Sequence, residues 1–427
     1  MDRFDCVIVG TGPAGLGAAF RLTDQRPDLK VLLLDQEEMC TGGLRNDCKL
    51  NFTFPTGFPL ENWTRETAGK LIRQVQEHLQ TPLLASHNLS VYRRRAERLG
   101  VELLEIQQSH LGTDGGINLI NQLMEKLRDR GVIVALKERM ESLKETDQCI
   151  LTDSREIGFK KLILAPGRMG FSFLQRIMNS LGIQYVDNVV DIGIRVETRT
   201  ENYSVVRDYY DPKFLFPDRV RTFCTNSNQA YVVKEEYTSR SGKTYCSVNG
   251  HAFSKKGSGN GLVNFALLKT VRFTEPLASG QEFGEMLGQM VMLMGGGKPM
   301  MQRVGDFRLG KRSKTVSFTG DLYDFEATLK ECTPGDISLA MPAKILRGIW
   351  KSMKLLDTII PGVMHPSTIM YYPEIKLYAN KPQFKDEYFQ AADGIYLVGD
   401  GAGTSRGITA AWASGIRAAN GILQEIH

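Results

Sequence analysis

Gly10-Thr11-Gly12-Pro13-Ala14-Gly15 is the stretch on which the reading of the fold turns. It follows a short apolar run, Phe4 to Val9, and opens a helical stretch that reaches about Leu22. In that setting each glycine has its own task. Gly10 permits the tight turn, Gly12 lets a pyrophosphate approach the backbone, and Gly15 allows close helix–strand packing. Pro13 and Ala14 complete the turn into a helix whose free N–H groups and partial positive charge suit phosphates. Val31 to Leu34 reads as a second buried strand. Asp35 ends it, 20 residues past Gly15, where a carboxylate accepts hydrogen bonds from ribose hydroxyls. Strand, helix and strand over about 30 residues imply a parallel sheet with a right-handed crossover.

Outward from this unit, two polar helical stretches between Asn62 and Arg98 form an excursion from the sheet. The chain returns through Val101 to Ile106. An amphipathic helix follows from Asp114, its expected N-cap, to Arg130, with Gly131 as its stop. Val132 to Ala135 is a third strand; Cys149 to Thr152 and Glu156 to Leu164 are further strands, the last opening onto Ala165-Pro166-Gly167-Arg168. From about Asp191 to Pro373 the texture changes. Strand-like stretches (Ile192 to Glu197, Ala230 to Val233, Lys314 to Phe318) alternate with turns such as Gly257-Ser258-Gly259-Asn260-Gly261. A helix from Gln281 to Met294 runs into Gly295-Gly296-Gly297, which follows a helix and so makes a poor second nucleotide site. The expected architecture is α/β: a discontinuous Rossmann-like domain (1–190 and 374–427, a parallel sheet plus a small β-meander). Into it is inserted a mixed α+β substrate domain, 191–373.

The far end of the chain returns to the first texture. Gly394 to Val398 is a buried strand opening onto Gly399-Asp400-Gly401-Ala402-Gly403, and a small-residue helix begins near Gly407-Ile408. A strand-end carboxylate at Asp400 can reach a ribityl chain, and the helix N-terminus can stabilise negative charge on a flavin's pyrimidine edge. A nicotinamide dinucleotide has no ribityl chain and needs no such second contact. The two ends of the chain together therefore point to FAD. Gly43 and Arg45, within Gly42-Gly43-Leu44-Arg45, are expected to wrap it, with Val134 and Gly167 at its border.

Bulk properties bound the rest. The chain has 427 residues and a net charge of +5, mildly basic for this length and no sign of nucleic acid on its own. Seven dispersed cysteines include no CxxC pair, so neither a metal site nor a disulfide framework is expected. The first residues carry no secretory signal pattern, and no apolar run approaches the roughly 18 residues of a membrane span. These features lead us to expect a reducing, cytoplasmic setting.

With these residues in place, Gly10 to Gly15, Asp35, Ala165 to Arg168 and Gly399 to Ala411 together resemble the glutathione-reductase-like FAD enzymes. More narrowly, the chain resembles the family of NAD(FAD)-utilising dehydrogenases. That match runs through His110 to Asp114, Asp191 to Glu197, Asp211 to Lys213, Arg221 to Cys224 and Val248 to His251. It continues at Asn264 to Leu267, Gln302-Arg303, Pro373 to Lys376 and Val398 to Gly403. The resemblance implies a FAD domain with an inserted domain and an oxidoreductase activity.

In the inserted domain, Arg195, Lys213, Arg221, His251, Arg303, Arg312 and Lys376 are cations beside these segments, which suggests a small anionic substrate. His251 is the candidate for proton transfer, with Arg221 and Arg195 as its catalytic companions. Cys224 could be a nucleophile, and Cys40 with Cys48 a flavin-coupled dithiol, although their spacing is longer than that class uses. The expected function is transfer of a hydride or electron pair between flavin and a small organic molecule. NAD(P)H would be a diffusing co-substrate, and the electron donor or acceptor is unassigned. Two other readings are a flavin-dependent RNA-modifying enzyme and a non-catalytic FAD-binding module. The basic run Arg303 to Lys314 lacks interleaved aromatics apart from Phe307 and reads as a solvated face, so nucleic acid is not the expected partner.

Overall fold

The computed structural model describes residues 1–39, 42–46, 48–85, 88–144, 148–187, 189–239, 242–253, 259–274, 276–277, 279–319, 325–377 and 380–426. The chain divides into two compact units. One comprises Met1–Leu84, Ile106–Asp187 and Ala379–His427; the other comprises Ala85–Glu105 and Asn188–Tyr378. Residues 85–105, placed by the sequence in the nucleotide domain, thus belong to the second unit.

The first unit is built on five parallel strands in the order Ile395–Leu397, Glu156–Leu164, Asp2–Val9, Val31–Asp35, Ile133–Leu136. Alternate residues point to opposite faces, so Ile8 and Leu33 enter one apolar cluster while Val7, Val9, Leu32 and Leu34 enter another. Both faces are buried, as a parallel sheet requires. The expected meander is present: Met140–Lys144, Cys149–Thr152 and Glu156–Leu164 pair antiparallel. The nine-residue strand Glu156–Leu164 serves both structures. Ile157 and Gly158 pair with the meander, while Leu162 to Leu164 pair with Ile395 to Leu397.

Two helices, Pro13–Gln25 and Ile408–Glu425, cover one face of this sheet. They touch backbone to backbone. A Cβ on Gly415 would stand 1.9 Å from the Ala14 carbonyl oxygen, and one on Gly17 would stand 2.4 Å from that of Trp412. No side chain larger than hydrogen fits at either crossing point. The helix expected from Asp114 runs Gly112–Asp129, with Leu111 at its N-cap; Asp114 lies inside the first turn, where its charge still suits the helix dipole.

The second unit carries a mixed, largely antiparallel sheet. Its order is Thr333–Pro334, Met300–Arg303, Ile369–Leu377, Val189–Arg199, Leu262–Arg272, Val220–Asn226, Lys213–Phe216, Glu102–Leu104. Only the first of these pairings is parallel. The returning segment at 101–106 therefore pairs with Lys213 to Leu215 and not with the nucleotide sheet. A hairpin of Gln229–Thr238 and Thr244–Phe253 and the helices Gly280–Met294 and Ala343–Ile359 complete the unit. Lys314 to Phe318, read as a strand, is instead a helical turn over Val316–Thr319. Its short alternation is cut by Ser317, whose hydroxyl accepts from the Lys314 N–H and donates to Asp306.

Candidate functional site

Because the strands of the first unit are parallel, every turn that leaves a carboxyl end emerges at one edge of the sheet. Three glycine turns meet there. A Cβ on Gly10 would stand 2.3 Å from the Ala165 carbonyl oxygen, and one on Gly401 would stand 2.3 Å from that of Gly167. One on Gly399 would lie 3.1 Å from the Ala14 Cβ. The segments 10–15, 165–168 and 399–403, far apart in sequence, form one continuous rim. Gly15 has the predicted packing role, since its Cβ would stand 1.9 Å from the Gly10 carbonyl oxygen.

Two helices begin at this rim without side-chain caps. Pro13–Gln25 starts at Gly12 and Ile408–Glu425 at Gly407, and neither has an acidic residue in its first turn. Their first N–H groups have no intrahelical acceptor, and both carry the positive end of a helix dipole. Space is open in front of them, with no atom of the described residues within 4 Å of the Cβ positions of Gly12, Gly167 or Gly407. Among the described residues the buried Thr409 Oγ1, in the first turn of the second helix, has no hydrogen-bond partner, and neither has Thr56 Oγ1. Thr56 precedes Gly57, whose carbonyl accepts the Arg406 N–H at 2.8 Å. Gly43 borders the same place, its Cβ position 3.1 Å from the Ile408 side chain. Arg45 is exposed, and Val134 is half-buried beside Leu33 in the sheet.

Two carboxylates shape the rim. Asp35 Oδ2 accepts the Thr11 N–H at 2.7 Å and its hydroxyl at 2.6 Å, while Oδ1 accepts the Glu37 N–H at 3.0 Å. The carboxylate expected to meet a ribose therefore also clamps the glycine turn. An ionised carboxylate has about four acceptor positions, so one remains. Asp400 Oδ1 accepts from Ser405 Oγ at 2.8 Å and the Gly407 N–H at 3.2 Å, and Arg168 Nε lies 3.4 Å from Oδ2. Asp400 thus ties the 399–403 turn to the helix start it precedes. Asp400→Ala is expected to destabilise that connection by about 1–3 kcal/mol, since Ser405 and Gly407 lose an acceptor. Protease cleavage near residue 405 should accelerate, and an unchanged cleavage pattern would contradict the assigned role.

Sequence reasoning missed Thr11, Thr56, Ser405 and Thr409. Ordinary hydroxyl residues in loops give no signal until the turns meet. These features fit a dinucleotide: two phosphate-ready helix ends, a strand-end acid, open backbone at the glycines and a buried hydroxyl awaiting a partner.

In the second unit the expected catalytic cations are occupied. Arg195 is fully buried and forms a two-pronged pair with the equally buried Glu374, Nη2 to Oε1 at 2.6 Å and Nε to Oε2 at 2.7 Å. Its other donors meet the Cys224 carbonyl and the Asn264 and Asn249 side-chain oxygens at 2.9–3.3 Å. Burial works against its charge, but Glu374 outweighs it and the pKa is raised. Arg221 pairs with Asp191 at 2.6 Å, Lys213 with Asp211 at 2.9 Å, and Lys376 lies 3.4 Å from Glu374. Arg303 is buried between Phe318 and Phe325 and donates to the carbonyls of Ser317, Phe325 and Ser367. These are internal ion pairs and main-chain anchors, not unneutralised receptors for an anion. Arg312 is exposed. His251 is half-buried on the hairpin opposite Tyr231. Cys224 is half-buried in a left-handed conformation, φ +47°. Cys48 is buried, and Cys40 lies outside the described residues.

Glu197 is a further buried charged residue on the same strand as Arg195. Burial raises its pKa against hydrogen bonds from Thr328 and from the Tyr371 hydroxyl at 2.6 Å. A folded-state pKa above the unfolded one means that folding takes up a proton. Glu197 therefore favours the folded chain most below the unfolded value, and that advantage falls as pH rises to the folded value. Glu197→Gln should melt close to wild type and remove that part of the pH dependence, from about pH 4 upward. A large drop in melting temperature would show that the charge itself is needed.

Among the described residues no helix is long and apolar enough to cross a membrane. No family model matches the chain. It is 24% identical over 457 residues to an uncharacterised protein of Clostridium beijerinckii, covering 98% of this chain and 80% of that one. Among solved structures it is similar to a flavoprotein/dehydrogenase from Cytophaga hutchinsonii, at 13% identity and a TM-score of 0.43, covering 100% of this chain and 79% of that one. It is also similar to glycine oxidase from Bacillus cereus, at 10% identity and a TM-score of 0.43, covering 99% and 96% of the two chains. A third is L-proline dehydrogenase from P. horikoshii, at 10% identity and a TM-score of 0.44, covering 99% and 94%.

Proposed function

We propose that this chain is a FAD-dependent oxidoreductase that moves a hydride or electron pair between flavin and a small organic substrate. The observation that carries the reading is the meeting, at one sheet edge, of two uncapped helix N-termini supplied by opposite ends of the chain. Gly10, Gly12, Pro13, Ala14 and Gly15 would cradle the pyrophosphate, and Asp35 would hold the ribose with the acceptor position that Thr11 and Glu37 leave. Gly399, Asp400, Gly407 and Ile408, with Thr409, would meet the flavin end, bordered by Gly43, Arg45, Val134 and Gly167. When bound, FAD supplies reversible two-electron chemistry at its ring.

The protein's part is positional. The dipole of Ile408–Glu425 favours negative charge at its start, and the Thr409 hydroxyl offers a buried donor there. His251 remains the candidate for proton transfer. An anionic substrate draws no support from Arg195, Lys213, Arg221 or Lys376, whose charges are matched internally. The glycine rim accounts for one dinucleotide, so a nicotinamide would act as a diffusing co-substrate.

The purified protein should be yellow and should release FAD, not FMN, on denaturation. Anaerobic bleaching of the flavin band by one of a panel of reductants, NADH and NADPH included, would then identify the electron donor. A chain that binds no flavin after incubation with FAD removes the reading. A chain that binds FAD but shows no turnover with any donor or acceptor supports a non-catalytic module instead.

A further inference from the structure

We propose that the second unit carries a docking face for an anionic phospholipid bilayer, centred on a cleft between two basic segments. The cleft, about 450 Å³, is lined by Phe307, Arg308, Trp350, Lys354 and Met364. It joins stretches of chain that the sequence keeps apart. Arg308 opens the exposed run Arg308-Leu309-Gly310-Lys311-Arg312. Lys354 closes a stripe on helix Ala343–Ile359, where Lys344, Arg347, Lys351 and Lys354 recur at helical spacing and are all exposed. The opposite face of that helix buries Ile345, Ile349, Met353 and Leu356 in the core, so the stripe is held outward.

These cations differ from the matched cations deeper in the same unit. Arg308 donates to the Met364 carbonyl at 2.6 Å, and among the described residues neither it nor Lys354 is paired with a carboxylate. Lys351 has only a loose partner, Asp218 at 3.8 Å. The acids closest in sequence to Arg308 and Lys354 hydrogen-bond to the backbone or to hydroxyls. Asp306 accepts from Ser313 and Ser317, and Asp357 accepts the N–H groups of Gly362 and Met364. A cluster of cations without matching acids calls for an anion outside the chain.

Two observations favour a bilayer over a nucleic acid. Leu309, set between Arg308 and Lys311, is 67% exposed, and Val316, just past Lys314, is 68% exposed. Aliphatic tips among cations gain from entering the boundary of a bilayer and gain nothing on a phosphodiester backbone. Base stacking would need an open aromatic face. Here the Trp350 ring packs at 4.6 Å on Phe307, and the Lys354 ammonium lies 5.9 Å from its centroid. Half-buried Trp and Phe beneath exposed cations suit headgroup depth.

The test is co-sedimentation of the full chain with vesicles of pure phosphatidylcholine or phosphatidylcholine mixed with phosphatidylserine, at low and high salt, with a labelled single-stranded RNA in parallel. Sedimentation with the phosphatidylserine vesicles alone, weakened at high salt but not abolished, is expected. Arg308→Glu with Lys354→Glu should weaken binding at least about 30-fold, taking each cation at its usual worth near an anionic surface. If loss of the Arg308–Met364 bond unfolds that variant, Arg347→Glu with Lys354→Glu touches exposed side chains only and should weaken binding likewise. Leu309→Ser should bind less at high salt, where insertion outlasts charge attraction. No preference for phosphatidylserine, wild-type binding by a folded double variant, an unaffected Leu309→Ser chain, or tighter binding to the RNA than to vesicles would each overturn the proposal.

Discussion

Glu374→Ala is expected to destabilise the second unit by about 3–5 kcal/mol, a large share of the stability of an ordinary chain. Arg195 and Glu374 are both inaccessible to solvent and face each other through two parallel hydrogen bonds. Removing the carboxylate leaves a guanidinium, which cannot shed its proton, buried with neutral acceptors alone: the Cys224 carbonyl and the oxygens of Asn264 and Asn249. Lys376 would lose its neighbour as well, leaving Glu235 at 4.0 Å. Glu374→Gln should fall between wild type and alanine, because the amide oxygen keeps one bond and the charge is lost. Urea denaturation measures both. A loss below 1 kcal/mol for alanine would mean that water reaches Arg195, contrary to the closed packing of the strand that carries it.

The same pair shows where sequence reading stops. Strand Val189–Arg199 is buried along nearly its whole length, so its charged residues are interior groups, whereas Asp191, Arg195 and Glu197 in a pattern of alternating apolar residues look like an exposed face. Their partners come from other strands: Arg221 and Thr270 for Asp191, Glu374 for Arg195, Tyr371 for Glu197. No local spacing encodes those pairings, so cations that seemed to await an anion were already matched. The nucleotide sheet was legible because its signals are local. A glycine turn between a strand and a helix constrains its own backbone, and Cys149–Thr152 and Glu156–Leu164 appear at the expected bounds. Residues 102–104 escaped because a three-residue strand announces no choice of sheet.

The contrast between Gly12 and Gly15 separates folding from cofactor binding. Both glycines belong to the same six-residue turn, yet a side chain meets opposite conditions at each. At Gly15 a Cβ would stand 1.9 Å from the Gly10 carbonyl oxygen and 3.3 Å from Ile8, so even Gly15→Ala must push helix Pro13–Gln25 off its sheet. That helix is also in backbone contact with Ile408–Glu425 and has no room to retreat. At Gly12 the backbone is extended, φ −69° and ψ 178°, and a Cβ would meet no atom of the described residues within 4 Å. Gly12→Glu should therefore fold, melting near the temperature of the cofactor-free wild type. Its carboxylate would stand at the uncapped helix end, where a pyrophosphate would otherwise sit. A like charge there costs several kcal/mol, and FAD binding should weaken at least about 1000-fold. Because a tightly bound ligand raises stability in proportion to the logarithm of its excess over Kd, wild type should gain melting temperature on addition of FAD and Gly12→Glu should not. A yellow, flavin-stabilised Gly12→Glu chain would move the cofactor away from this turn, and a Gly15→Ala chain as stable as wild type would undo the packing argument on which the turn's geometry rests.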